Sequence, residues 1–249
     1  MKRYLYVFGF IVVATIFTKI IFNLLWDVSI YLSNYLVFID PKCDFMPDLL
    51  FKVFICILTL IIILIFTLIT KNTDVFVVPQ KVFFASLKIS IIKILVIFSV
   101  IMLTIEITGV VIVKLTGNAA LNIPNEPYSF IGFFLAIVII NPIAEEIFFR
   151  KLMTSIVIRL FKKIFHNDRT LFIISLLITT IIFTLIHIGI QFLPFEINHL
   201  NYPQLVSVAL QGGFYYWLYV KSKSIIFPIL AHSIANALHC FTNLIIIIL

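Results

Sequence analysis

An all-α polytopic membrane protein with about seven transmembrane helices is the fold this chain predicts. Three observations lead there. The composition is 63% hydrophobic and only 12% charged, where an ordinary soluble domain carries about 25% charged residues. Apolar runs recur from end to end, each long enough to cross a hydrocarbon layer of about 30 Å as a helix. The Lys and Arg residues behind the net charge of +7 gather at the ends of those runs, as the positive-inside rule expects. That basic balance is therefore a topology signal, and no nucleic-acid partner is expected. Of three cysteines, Cys56 and Cys240 lie inside apolar runs, so there is neither a disulfide framework nor zinc-type spacing. The 249 residues make one membrane domain, with no room for a soluble one. Abundant Ile and Phe with scarce Ala and Gly point to a bacterial source.

The elements follow in order. Lys2 and Arg3 precede an apolar run from Tyr4 to about Trp26. No small-residue cleavage site follows it, so it reads as an uncleaved first span with a cytoplasmic N-terminus. The loop to Asp48 is acidic and suits the outside. A second span covers about Leu49 to Thr70, and Lys71, Asp74, Pro79 and Lys81 form an inner loop. A third run, from about Phe83 to Val113, is long for one crossing and predicts tilt or a break near Gly109. Lys88 and Lys93 snorkel from it. Pro124 and Pro127 mark an outer loop. These three spans make an N-terminal part, residues 1–127.

The C-terminal part, 128–249, holds four more spans. The first starts near Tyr128 and contains Pro142, which predicts a kink. It leads into a basic cytoplasmic stretch from Arg150 to Arg169. A fifth span covers about Leu171 to Ile190, and an outer loop runs from Gln191 to Pro203. A sixth covers about Gln204 to Val220, where Gly212 and Gly213 allow a neighbouring backbone to come close. The last runs from about Ile225 to Leu249.

Polar residues inside these spans carry the chemistry. Glu145 and Glu146 stand side by side at membrane depth, where a charge costs roughly 2.5–3.5 kcal/mol. Glu146 and Arg150 are four apart and share a helix face, so they pair. Glu145 is turned away by about 100° and needs another partner. In the fifth span Thr180, Thr184 and His187 fall on one helix face. In the last span His232, Asn236, His239 and Asn243 continue a polar stripe. A polar face on a greasy helix looks onto other helices or a water-filled cavity. Taken singly, His187, His232 and Asn236 read more readily as interhelical hydrogen-bond glue, and the Glu pair reads equally well as a snorkelling pair at a helix end, neutralised by Arg150 and Lys151. Ser233 beside His232 makes a poor nucleophile pair, because adjacent helical residues diverge by about 100°. Two hydrolytic schemes stay open. A Glu and a His jointly deprotonate a water while a second His and an Asn steady an oxyanion. Alternatively Glu145, His187 and His232 hold a catalytic zinc with an open water position.

The three pieces together, Glu145-Glu146-x-x-x-Arg150, Phe183-x-x-x-His187 and His232-x-x-x-Asn236, resemble the motif set of the CPBP intramembrane proteases. That family includes the type II CAAX prenyl endopeptidases and the bacterial bacteriocin-processing and immunity (Abi-like) proteins. The resemblance covers residues 128–249, so it implies a catalytic cavity among the C-terminal four helices. It implies that Glu145 activates water with His187, that His232 and Asn236 bind the oxyanion, and that Glu146, Arg150 and Phe183 support the site. Lys151 stands where the family often has Gly. The implied activity is intramembrane endopeptidase cleavage of a peptide precursor or a membrane protein. It suits peptide or pheromone processing, or bacteriocin self-immunity, at a bacterial cell membrane. A non-catalytic immunity or regulatory partner that keeps the fold is the alternative. A proton-coupled transporter is a third reading, which the lack of an inverted repeat disfavours.

Overall fold

The computed structural model describes residues 2–70, 91–116, 127–192 and 195–248. Among them stand seven helices and one short hairpin. The helices are α1 (Lys2–Ser33), α2 (Met46–Thr70), α3 (Ile91–Thr116), α4 (127–162), α5 (Asp168–Leu185), α6 (Tyr202–Ser222) and α7 (Ile226–Ile248). The strands β1 (Gly189–Phe192) and β2 (Phe195–His199) sit between α5 and α6. The first five helices contain stretches long and apolar enough to cross a membrane, and Ile226–Thr242 of α7 is a shorter apolar stretch. Helix α6 is less apolar because Gln204, Ser207, Gln211, Gly212 and Gly213 interrupt it. The chain is thus an all-α polytopic membrane protein. The inner loop with Lys71, Asp74, Pro79 and Lys81, the start of the third run with Lys88, and Pro124 all lie outside the described residues, as does the side chain of Asn243.

Helix α4 is the hub. It packs against α2, α5 and α7, while α1 backs α2, α3 backs α7 and α6 joins α5 to α7. Phe22 of α1, Ile55 of α2, Phe148, Phe149 and Val157 of α4, and Ile178, Ile182 and Phe183 of α5 form one buried cluster around it. Polar caps set the helix starts. Asp40, buried, accepts the backbone N–H groups of Asp44, Phe45 and Met46 at 3.1, 2.9 and 2.8 Å, and so fixes the entry to α2. Asn167 accepts from Arg169 and Thr170 to open α5, and Asn201 accepts from Gln204 to open α6.

Three helices add detail to the sequence reading. Helix α3 runs unbroken through Gly109, since a lone Gly weakens a helix without ending it. Helix α4 stays helical through Pro142, where a kink is expected, and alternates α and π turns, with π segments at Leu135–Ile140 and Ile147–Met153. The first π turn widens the helix just before the proline ring, where an α turn would clash with it. Helix α5 ends at Leu185, not Ile190. Its last turn tightens, with the His187 N–H on the Thr184 carbonyl and the Ile188 N–H on that of Leu185. The chain then enters an antiparallel hairpin that pairs Ile190 with Ile197 and Gln191 with Glu196. A Cβ on Gly189 would lie 2.7 Å from the His199 Cβ, so only glycine fits that crossing.

Asp40→Ala removes the cap that three N–H groups share, two of them buried. It is expected to lower stability by about 1–2 kcal/mol, read as thermal unfolding in detergent, while Asp44→Ala changes it by under about 0.5 kcal/mol.

Candidate active site

Glu145 and Glu146 close the short α segment Asn141–Glu146 between the two π segments of α4, and both are buried. Glu146 Oε2 accepts from Arg150 Nε at 2.8 Å, the i, i+4 pair expected from spacing. Both side chains are fully buried. The Arg150 guanidinium also lies over the Phe183 ring, 5.3 Å from its centroid, a cation–π contact. Glu146 Oε1 accepts a hydrogen bond from His232 Nδ1 at 3.1 Å. Glu146 therefore locks α4 to α7 and fixes which nitrogen of His232 is turned away from it.

Glu145 faces elsewhere, as its position on the helix requires. Its partner is Lys52 of α2, whose Nζ donates to Oε1 at 2.8 Å. The other oxygen, Oε2, is buried with no hydrogen-bond partner among the described residues and stands 4.0 Å from His232 Nε2. That gap is too long for a direct bond, yet one water reaches both with bonds of about 2.8 Å. His187 interacts electrostatically with both Glu145 and His232. It sits past the end of α5 rather than on a helix face with Thr180 and Thr184. The early end of the helix turns it, and Nδ1 donates to the Phe183 carbonyl at 2.7 Å. A carbonyl only accepts, so this bond places the proton on Nδ1 and leaves Nε2 to act. Both imidazoles are thus anchored through Nδ1 and work through Nε2.

Phe183 is the wedge of the site. Its ring meets Phe149 edge-on at 5.0 Å, His187 at 4.9 Å and His232 at 6.4 Å between centroids. It fits only because α6 has a glycine opposite: a Cβ on Gly212 would lie 2.8 Å from the Phe183 Cδ1. Gly213 has no such constraint.

Asn236 is placed differently from the expected oxyanion donor. Its Nδ2 donates to the Ile137 carbonyl at 2.8 Å. In the π segment the Asn141 N–H bonds the Ala136 carbonyl, five residues back. The next N–H in that register would come from residue 142 and reach Ile137, but Pro142 has none. Asn236 supplies the missing donor from the neighbouring helix. One N–H and the Oδ1 of its amide remain for other partners. His239, on the same stripe, pairs with Glu106 of α3 at 2.9 Å, away from the Glu pair, and Thr242 adds a bond to the same carboxylate at 3.1 Å.

The sequence reading overlooked Lys52, Lys19, Glu106 and Tyr215. Lys19 of α1 donates to the Ile186 carbonyl at 2.6 Å, holding the turn beside His187. The Tyr215 ring lies nearly parallel on His232, 4.8 Å away, and its hydroxyl bonds Gln211. The signal for the first three was available: each is a lone charge inside an apolar run. Nothing in the local pattern marks Tyr215.

Among the described residues, no group of three His, Cys, Asp or Glu side chains is placed to hold a metal ion. The Glu145, His187 and His232 set does not fit a zinc as arranged, because the Lys52 ammonium already occupies Glu145 Oε1 and repels a second cation. The chemistry on view is that of a carboxylate oxygen facing the Nε2 of His232, with the His187 imidazole in electrostatic reach of both.

Residues 127–238 match the family model described as Rce1-like, the type II CAAX prenyl endopeptidases. The match spans α4 to most of α7 and bears out the resemblance carried by the three motifs. No curated protein and no solved structure matches the chain. The family implies CAAX-type intramembrane protease activity.

Two tests follow from this geometry. Asn236→Leu leaves the Ile137 carbonyl unsatisfied and is expected to destabilise by about 1–3 kcal/mol. In a Pro142→Ala background, where an N–H is restored, the same change costs less, so a double-mutant cycle of detergent unfolding shows positive coupling. Gly212→Val drives Phe183 off the two imidazoles and costs about 1–3 kcal/mol of overpacking, whereas Gly213→Ala is tolerated.

Proposed function

On the premise of an Rce1-like domain over residues 127–238, we propose that this protein is an intramembrane endopeptidase that cleaves a peptide precursor or a membrane protein with an activated water. The observation that carries the reading is Glu145 Oε2: buried, without a hydrogen-bond partner among the described residues and 4.0 Å from His232 Nε2. A carboxylate oxygen in that position takes a proton from a water held between the two groups. The hydroxide so formed attacks the scissile carbonyl. His232 Nε2, with its ring steadied by Glu146 and Tyr215, steadies the oxyanion when it bears a proton. His187 Nε2 shares the proton on its way to the leaving amine. Asn236 supports the site first by completing the π turn next to the Glu pair, and it offers its remaining N–H to the oxyanion.

A cavity of about 650 Å³ lies between α1 and the hairpin, lined among others by Asn23, Asp27, Gln191 and Asn198. It borders β1, which begins two residues after His187. An extended peptide reaching the site from this side meets polar partners before it meets the carboxylate. The biological setting we favour is a bacterial cell membrane with the N-terminus inside, and a role in peptide processing or bacteriocin self-immunity.

The test is Glu145→Gln, which keeps the shape and removes the base. Cleavage of tagged single-span peptide precursors co-expressed with the protein is expected to fall at least 10²-fold, at unchanged protein level. Full retention of cleavage by Glu145→Gln sinks the water-activation scheme. Retention of an immunity phenotype without any cleavage favours the non-catalytic partner instead.

A further inference from the structure

We infer that Lys52, which lies outside the Rce1-like segment, is a positioning residue of the site: its ammonium pairs with one oxygen of Glu145 and turns the other towards His232. This inference rests on the reading of Glu145 as the base, and it adds a residue from the N-terminal helices to that base.

The contact is selective. Asp48 lies four residues before Lys52 on the same helix, the spacing at which an ion pair forms by default. The Lys52 ammonium is instead 2.8 Å from Glu145, across the interface between α2 and α4. Its side chain is 13% exposed and that of Glu145 is 5%, so solvent screens the pair little. The stem passes the Phe51 ring, with Nζ 4.9 Å from the centroid.

The effect on Glu145 is specific as well. Lys52 takes Oε1 and leaves Oε2 aimed at His232. The groups facing the carboxylate are Lys52 from α2, His232 from α7 and His187 after α5, with Glu146 and Arg150 alongside on α4. Arg150 is committed to Glu146, and the two imidazoles are anchored through Nδ1 to Glu146 and to a carbonyl. Among the described residues, Lys52 alone brings Glu145 a permanent positive charge. Without it Glu145 lies buried beside a second carboxylate, and the proton-bearing form gains. A protonated Glu145 takes no proton from water.

The experiment reads the charge on Glu145 directly, with no need of a substrate. Dicyclohexylcarbodiimide adds to protonated carboxyl groups in apolar surroundings, and the adduct at Glu145 is measured by mass spectrometry across a pH series. The wild-type protein in membranes is expected to resist labelling at neutral pH. In Lys52→Met, labelling at Glu145 rises several-fold and persists to higher pH, and Lys52→Arg restores resistance. Lys52→Gln, which keeps a hydrogen-bond donor, serves if Lys52→Met fails to fold, and it labels like Lys52→Met. Equal labelling of folded wild-type protein and of the neutral variants overturns the proposal and reduces the contact to a packing role. Where a cleaved precursor is in hand, the acidic limb of its pH–rate profile moves to higher pH in Lys52→Gln and returns in Lys52→Arg. If instead Glu145→Gln cleaves normally, the proteolytic reading falls while the labelling result still stands or falls on its own.

Discussion

Charge balance at membrane depth is the constraint from which the rest of this structure follows. Two carboxylates on adjacent residues cannot both be neutralised from one direction, because helix geometry points them about 100° apart. Glu146 takes its cation from the same helix, through Arg150, and Glu145 takes its cation from α2, through Lys52. Two negative and two positive charges therefore close without help from the imidazoles. That is why α2 must pack on α4, and why the site is not confined to the four C-terminal helices. Removing one partner of a buried ion pair leaves the other uncompensated, so each carboxylate is matched to a cation of its own.

The second organising feature is the proline. Pro142 sits three residues before the Glu pair, where it removes a backbone donor at membrane depth. The helix responds with a π turn, and α7 responds with Asn236 on the orphaned Ile137 carbonyl. An unsatisfied backbone group in lipid costs several kcal/mol, enough to make this interhelical bond a structural requirement. The same helix face that completes the backbone also delivers His232 to Glu146. Structure and chemistry thus share one stripe of α7, one to two turns apart.

Much of this was legible in the sequence. Apolar runs and their basic ends gave the helices, and the spacing of Glu146 and Arg150 gave their pairing. The three polar motifs gave the carboxylate and both imidazoles. What escaped has a physical reason in each case. Lys52 reads locally as a partner for Asp48, and only the packing of α2 on α4 sends it to Glu145. The end of α5 is hidden because Leu185 to Ile190 is as apolar as what precedes it, and no proline follows closely. The hairpin is short, and its β2 strand is exposed, so no alternating pattern announces it. Asn236 has the right position, yet its first partner is a carbonyl whose vacancy depends on π geometry that no residue pattern displays.

The two π segments have a further consequence for how this helix is to be compared with others. A π turn closes its ring over one more residue than an α turn. Leu135–Ile140 and Ile147–Met153 flank the Glu pair, so each side of it carries an offset in angular register. A helical wheel drawn at constant pitch from 128 to 162 sets the residues after Met153 on the wrong side of the helix relative to those before Leu135. A one-residue deletion at either segment would keep both faces in place by exchanging the π turn for an α turn. A gap placed there in an alignment marks a change of winding and leaves the chemistry of the Glu pair untouched.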